Sequence, residues 1–365
     1  MNVTIYNVKQ GDSFLINNKG CFSEVLPLLV DTGCRKFNMH RILSSSLKSE
    51  RFSILITHSH RDHMGGLKDI LINSKCNVDE VFIPWYLPEI LQINKILKKN
   101  FAAYNSLSLP LLNNVKLSFL GEGDNVYQTG CDNYKVLNPP KNAELVYESL
   151  MGDGSDNQTN DVESVITRLN ELGFDVDIRD VIDYSPEITP NDSREIYREQ
   201  ARRFVIKFFT TMSSFVFGAK VSNIKSKVRE HLELLSNHTS IVFKYNCVND
   251  ALGWLFTGDA DTEAFLRIMR GKYKNYLKAE VLKIPHHGSK ENLDAVTLGF
   301  INPSIAIVSH DNFKGKGLDR HPHQEVIDLL NMAGVNAFYT NDVKKNNKVI
   351  MKSSYSPTFN GLFKF

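Results

Sequence analysis

Apolar and polar positions alternate along this chain in two rhythms. Short apolar runs bounded by Gly, Asn and Asp predict strands at 2–8, 12–16 and 26–31, with Gly11-Asp12 and the Asn17–Gly20 turn between them. Residues 52–57 are apolar almost without a break, the pattern of a strand buried on both faces. Val81–Pro84 and Val115–Phe119 predict two further strands. A helical period is predicted over 39–47, over Met64–Ile72, where Leu67, Ile70 and Leu71 share a face, and over 88–99.

Near residue 138 the rhythm changes. Pro139-Pro140 and Gly152–Asp161 read as loops, and helical periodicity then dominates over Val162–Leu172, 192–213 and 219–235, with Asp192-Ser193 as the cap of the second helix. Strand signals return at Thr239–Tyr245, Trp254–Thr257, Glu280–Pro285, Ile305–Ser309 and near Ala337–Thr340, with helices over 261–270 and 323–333. The expected organisation is two β-rich halves, 1–137 and 237–365, around a mostly helical insertion at 138–236. No internal sequence repeat relates the halves.

Composition narrows the picture. In 365 residues, 42% hydrophobic, the formal net charge is only +2, which argues against binding nucleic acid by bulk charge. No run of about 18 apolar residues predicts a membrane span, and Met1–Val8 reads as a first strand rather than a signal peptide. Cys21, Cys34, Cys76, Cys131 and Cys247 are scattered and form no C-x-x-C, so a disulfide framework is not expected and a reducing cytoplasm fits. The insertion carries Arg194, Arg198, Arg202, Arg203, Lys207, Lys220, Lys225, Lys227 and Arg229. Acidic and large apolar residues interleave with them. That mixture favours an amphipathic helix pair packing on a core or partner, including a second copy, over a nucleic-acid face.

The densest chemistry lies in Ser53–Leu67, S-I-L-I-T-H-S-H-R-D-H-M-G-G-L. Side chains at i and i+2 of an extended chain point the same way, so His58 and His60 converge. Asp62 and His63 reach a second point only if the chain bends into a helix there, and Gly65-Gly66 permits close backbone approach at that bend. Four ligand-type residues so spaced suit two metal ions about 3.5–4 Å apart. Packing alone seldom produces such a cluster.

This stretch, His58-x-His60-x-Asp62-His63 with Gly-Gly, resembles the signature of the metallo-β-lactamase superfamily. Further segments resemble the hydrolase domain of ComEC-type competence proteins: Gln10-Gly11-Asp12-Ser13, Leu29–Gly33, Asn237-x-x-Ser240-x-Val242, Leu255–Asp259, Lys283–Ser289 and His321-Pro322-His323. The resemblance spans nearly the whole chain outside 138–236. It implies an α/β fold, a four-layer αββα sandwich, and a hydrolase with two divalent ions. A nitrogen and oxygen donor set suits zinc or manganese.

By resemblance, Asp259 bridges the ions, and a histidine of His286-His287 ligates the second, with His286 expected because it is the first past the strand and His287 either supporting it from behind or itself the ligand. The third ligand of the first ion is either His238 or Asn237, or His238 faces solvent. Asp31 and Asp12 are expected to support the ligands from behind, with a plain turn as the alternative for Asp12. Ser289 either contacts substrate or holds its loop. His321 contacts a phosphate or protonates a leaving group, beside a basic lip containing Lys316 and Arg320. Asp62 is also expected to orient the attacking water. A phosphodiester, most simply DNA, is the expected substrate. Hydrolysis of a small ester, lactone or nucleotide, or a role as a docking subunit, stays open.

Overall fold

A computed structural model describes residues 2–9, 11–17, 25–97, 115–128, 132–151, 161–186, 193–218, 221–247, 253–310, 321–342 and 348–352. Up to the insertion the strands are β1 (Asn2–Tyr6), β2 (Phe14–Asn17), β3 (Leu28–Val30), β4 (Arg51–Leu55), β5 (Asn77–Pro84), β6 (Lys116–Leu120), β7 (Asn125–Gln128) and β8 (Asp132–Asn138). The helices among them are α1 (Met39–Ser46), α2 (Arg61–Met64), α3 (Leu67–Leu71) and α4 (Leu87–Leu97). The insertion supplies α5 (Ala143–Met151), α6 (Val162–Glu171), α7 (Arg179–Ile182), α8 (Arg198–Thr211), α9 (Ser213–Val216) and α10 (Val221–His238). After it come β9 (Val242–Cys247), β10 (Trp254–Phe256), α11 (Thr262–Arg270), β11 (Val281–Lys283), α12 (Ala295–Ile301), β12 (Ile305–Val308), α13 (Gln324–Met332), β13 (Asn336–Tyr339) and β14 (Lys348–Lys352).

These strands form two seven-stranded sheets, ordered β14-β1-β2-β3-β4-β5-β6 and β7-β8-β9-β10-β11-β12-β13 when read from corresponding edges. In each sheet the first three pairings are antiparallel and the last three parallel. The halves are therefore a topological repeat that the sequence does not display. Three strands cross the expected boundaries: β7 and β8 precede the insertion yet join the second sheet, and β14 returns to the first.

The sheets pack face to face through Val3, Ile5, Phe14, Val30 and Leu55 on one side and Phe243, Tyr245, Trp254, Phe256 and Val281 on the other. Alternate residues point outward, as the pleat requires. Leu255, Leu282, Ile284, Ala306 and Val308 meet α11, α12 and α13. Leu29, Ile54, Ile56, Val81 and Ile83 of the first sheet share one core with α1, α3, α4 and the insertion. The result is the four-layer αββα sandwich the resemblance implied, and the insertion helices thicken its first helical layer.

Helix α8 buries Phe204, Phe208 and Phe209 completely. Phe204 stacks on Tyr86 at 5.2 Å, and Trp85 stacks on Tyr197 at 5.4 Å. Each such burial contributes about 1.5–3 kcal/mol. Most of the basic residues that α8 and α10 present are paired: Arg198 with Glu195, Arg203 with Glu199, Lys207 with Glu144 and Arg229 with Glu233. Arg194 is itself buried against Glu89 of α4. Arg194 thus serves packing, whereas the pairs of Arg198, Arg203 and Arg229 lie at the surface. The Asp192 cap lies outside the described residues.

Candidate metal centre

The site forms where the parallel strands of both sheets end, the position at which open α/β sheets present side chains to ligands. The repeat places like chemistry at like positions. An Asp turn follows β3 (Asp31) and β10 (Asp259), and a histidine loop follows β4 (His58–His63) and β11 (His286-His287).

Past β4 the chain bends at His58 and Ser59, is extended again at His60, and then enters the single helical turn α2, which carries Asp62 and His63. Close backbone approach holds this bend. A Cβ on Gly11 would lie 2.0 Å from the Asp62 carbonyl oxygen, and one on Gly66 would lie 2.7 Å from that of Thr32. Only glycine fits such gaps.

Of the groups of ligand atoms that converge here, two triads together use all of the histidines, His58/His60/Asp259 and Asp62/His63/His287, the ligand atoms within each lying inside 4.8 Å of one another; Asp12 stands within the same reach of Asp31 and His63 and of Asp259 and His287. Asp259 Oδ2 is the hub. It lies 3.6 Å from His58 Nε2, 3.1 Å from His63 Nε2 and 3.8 Å from His287 Nε2. The Nε2 atoms of His58, His60 and His63 and Oδ1 of Asp259 are buried without a hydrogen-bond partner. Buried polar atoms are nearly always partnered. A converging set of unpartnered imidazole nitrogens around a carboxylate is the donor set a divalent cation satisfies. The residues therefore fit the implied ions.

Surrounding groups fix the ring orientations. Asp31 accepts from Thr57 N–H at 2.8 Å, from the Thr57 hydroxyl at 2.7 Å and from His63 Nδ1 at 2.8 Å. His287 Nδ1 donates to the Ser309 carbonyl at 2.8 Å, which leaves Nε2 facing Asp62 at 3.2 Å. Such partners set the tautomer that leaves Nε2 able to bind an ion. His286 and His287 both have positive φ, 42° and 54°. This costly backbone turns the second ring inward.

The electrostatics follow from burial and charge. Burial holds His58 well below the usual histidine range, with the His63 charge acting in the same direction. Burial also opposes a charge on His63 and His287, but the carboxylates of Asp259, Asp31, Asp62 and Asp12 outweigh it and both stand above the usual range. Asp259 is buried too, yet His63, His287, His286 and His58 around it hold its carboxyl well below the carboxylate range. An ion entering this site competes with protons for the same nitrogens.

The other expected site residues take varied positions. His286 keeps 28% of its side-chain surface exposed, and although its Nε2 lies about as far from Asp259 Oδ2 as that of His287, 3.9 Å against 3.8 Å, it stands in neither triad. Its Nδ1 is held by Asn292 at 3.0 Å. His287, not His286, joins Asp62 and His63, because the left-handed backbone reverses which ring points in. His238 stands in neither triad: both ring nitrogens are engaged elsewhere, by Asp261 at 2.8 Å and by Ser149 at 2.8 Å. Asn237, one residue earlier, keeps a buried Oδ1 without a partner. Its neighbour Ser236 meets Ser59 at 2.6 Å, so the end of α10 lies against the His58–His60 loop. Ser289 is buried, and its hydroxyl and N–H bond within its own loop. His321 sits beside His286, ring centres 5.1 Å apart. Lys316 and Arg320 lie outside the described residues.

Sequence reasoning gave no role to Thr57, Ser309 or Lys283. Lys283 could have been found: a lysine inside Val281-Leu282-Lys283-Ile284 interrupts a run otherwise fit for complete burial. Its ammonium is buried, ion-paired with Asp12, and donates to the Gly258 carbonyl at 2.8 Å.

No family model matches the chain. A 112-residue stretch is 32% identical to the ComE operon protein 3 of Bacillus subtilis (strain 168), and it covers 29% of this chain but only 14% of that protein. Among solved structures, a metallo hydrolase from the hyperthermophilic archaeon Ignicoccus hospitalis is similar at 10% identity and a TM-score of 0.42, covering 97% of this chain and 100% of that one. A metallo-β-lactamase fold protein from Bacillus subtilis is similar at 8% identity and a TM-score of 0.44, covering 96% and 100%. At these identities and TM-scores the fold and the site rest on the strand order and side-chain geometry of this chain itself. Among the described residues no helix is long and apolar enough to cross a membrane.

Proposed function

We propose that this protein is a metal-dependent hydrolase that cleaves phosphodiesters. One observation carries the reading: Asp259 Oδ2 stands between two His/Asp triads whose imidazole nitrogens are buried and unpartnered. His58, His60 and Asp259 would hold one divalent ion, and Asp62, His63 and His287 a second, with Asp259 shared. When bound, such ions acidify a water toward neutral pH and neutralise developing charge on a phosphoryl oxygen. No serine or cysteine nucleophile is required.

The chain's own groups have distinct parts. Asp62 is kept ionised: burial opposes its charge, but His63 and His287 outweigh burial and hold its carboxyl below the usual range. It therefore accepts a hydrogen bond from a water and orients it, rather than donating a proton. His321 is brought down to about 4 by burial and by the neighbouring His286 and His287. Its ring is neutral at pH 7, so of its two expected roles, contact with a phosphoryl oxygen is the one that charge state supports. The 112-residue match to the ComE operon protein 3 accords with a competence-type hydrolase. DNA is the simplest substrate of that class. The contact of α10 with the His58–His60 loop favours, as a second reading, a small ester, lactone or nucleotide held under the insertion.

The test is metal-loaded protein against single-stranded DNA, duplex DNA and bis-p-nitrophenyl phosphate, with elemental analysis of bound metal. Asp259→Ala is expected to lose the bound ions and at least about 1000-fold in rate, about 4 kcal/mol of barrier. Cleavage of the small diester alone removes DNA as substrate. Absence of bound metal, with activity that no divalent ion restores, removes the enzyme reading.

A further inference from the structure

Asp259 has two oxygens with different surroundings. Oδ2 faces the imidazoles, whereas Oδ1 faces the Lys283 ammonium at 3.6 Å and has no hydrogen-bond partner. Lys283 is the last residue of β11, and three elements meet at its Nζ. Asp12, from the connection between β1 and β2, pairs with it. The Gly258 carbonyl, in the turn that carries Asp259, accepts from it at 2.8 Å. The ammonium is thus fixed by Asp12 and the Gly258 carbonyl and presented to the outer oxygen of Asp259. Beyond 3.5 Å this is charge attraction rather than a hydrogen bond, and in a buried site it still orients a carboxylate.

Resting on the binuclear reading above, we propose that Lys283 is a positioning residue: its ammonium draws Oδ1 of Asp259 away from the imidazoles, so that Oδ2 alone is presented to both triads. A carboxylate so held would offer Oδ2 to both triads and would be less able to turn both oxygens to one ion. Lys283 thereby determines whether the second ion binds. Simple electrostatics predicts the reverse, because removing a buried cation beside a metal site should tighten both ions. The two accounts differ in sign.

The experiment compares full-length wild type, Lys283→Met and the double variant Asp12→Asn/Lys283→Met. Zn²⁺ is titrated by calorimetry, and Mn²⁺ spin coupling is read by electron paramagnetic resonance. The double variant removes both partners of the buried pair and leaves net charge unchanged, so it is the variant expected to stay folded, checked by thermal melting without metal. Expected are two ions in wild type. In the double variant the first ion is retained, the second is at least about tenfold weaker, and the Mn²⁺ coupling is lost. Two coupled ions in the double variant, each within about twofold of wild-type affinity, would show that Lys283 only balances Asp12, and the proposal is wrong. Tighter binding of both ions to Lys283→Met likewise overturns it. Wild type that takes fewer than two ions removes the binuclear reading itself, and the role of Lys283 falls with it.

Discussion

Asp31→Asn is the most discriminating perturbation of this site, because it changes chemistry without changing shape. Asp31 uses both oxygens: Oδ1 accepts from Thr57 N–H at 2.8 Å, and Oδ2 accepts from the Thr57 hydroxyl at 2.7 Å and from His63 Nδ1 at 2.8 Å. An asparagine has one oxygen and one NH2 group. If the oxygen stays on the Thr57 amide, the NH2 confronts His63 Nδ1. That nitrogen must then give up its proton, and the proton moves to Nε2, the atom that faces Asp259. If the amide flips, two donors face each other at about 2.8 Å in a dry interior, at a cost of about 1–3 kcal/mol. Either way the loss falls on the metal-binding form of His63. A penalty of about 1.4–2.8 kcal/mol corresponds to a 10–100-fold weaker ion. Metal-free stability should move little. Burial already pushes the Asp31 carboxyl up against the opposing pull of His63, so a neutral isostere there relieves desolvation while it loses hydrogen bonds. Calorimetric Zn²⁺ titration together with metal-free melting reads both quantities. Affinity within about twofold of wild type would refute the orienting role assigned to Asp31.

Two further predictions concern the insertion. Glu89 is fully buried, paired with Arg194 and bonded to the Tyr184 hydroxyl at 2.8 Å; Arg194→Met strands that carboxylate and should cost about 3–5 kcal/mol, whereas Glu89→Gln/Arg194→Met should recover most of it, read from denaturant midpoints. A loss below about 1 kcal/mol in the single variant would mean the pair does not anchor the insertion. His231, packed on Phe208 and Phe215 and bonded to Thr211, is lowered by burial to about 4. Because its folded pKa lies below its unfolded value of 6.5, the unfolded chain binds the proton first, and stability is lost as pH falls from about 6.5 toward 4. Between pH 7.5 and 5, wild type should lose about 2 kcal/mol more than His231→Leu in denaturant unfolding, and equal losses would exclude His231 as the source.

Much of this molecule was readable in its sequence, for local reasons. Helices α1, α4, α6, α8, α11 and α13 lie where the apolar period predicts them, since an amphipathic stripe is a property of neighbouring residues. The strands that lead into the site, β4 and β10, were likewise visible as apolar runs, whereas the bend at His58 and Ser59, ahead of the helical turn that carries Asp62 and His63, was not. Strands β7, β8 and β14 were not assigned. They are short, and their pairing partners are distant: β8 meets β9 across the whole insertion, and β14 meets β1 across nearly the whole chain.

The undecided ligands turned on conformation rather than composition. In His286-His287, with two positive φ angles, the second ring is buried beside Asp62 and the first is left partly exposed, which no local rule about the first residue after a strand foresees. In Asn237-His238, helix α10 continues through His238, and its ring is taken by Asp261 and Ser149 from two other helical segments. By itself the sequence determined which residue types were available and where strands would end, because ligand spacing and apolar periodicity are local. Only the tertiary structure decided which histidine stands beside Asp62, that Lys283 lies beside Asp259, and that two unlike sequences build the same sheet twice. Those outcomes depend on contacts between residues separated by tens to hundreds of positions, which burial and hydrogen-bond satisfaction settle only once the sheets have packed.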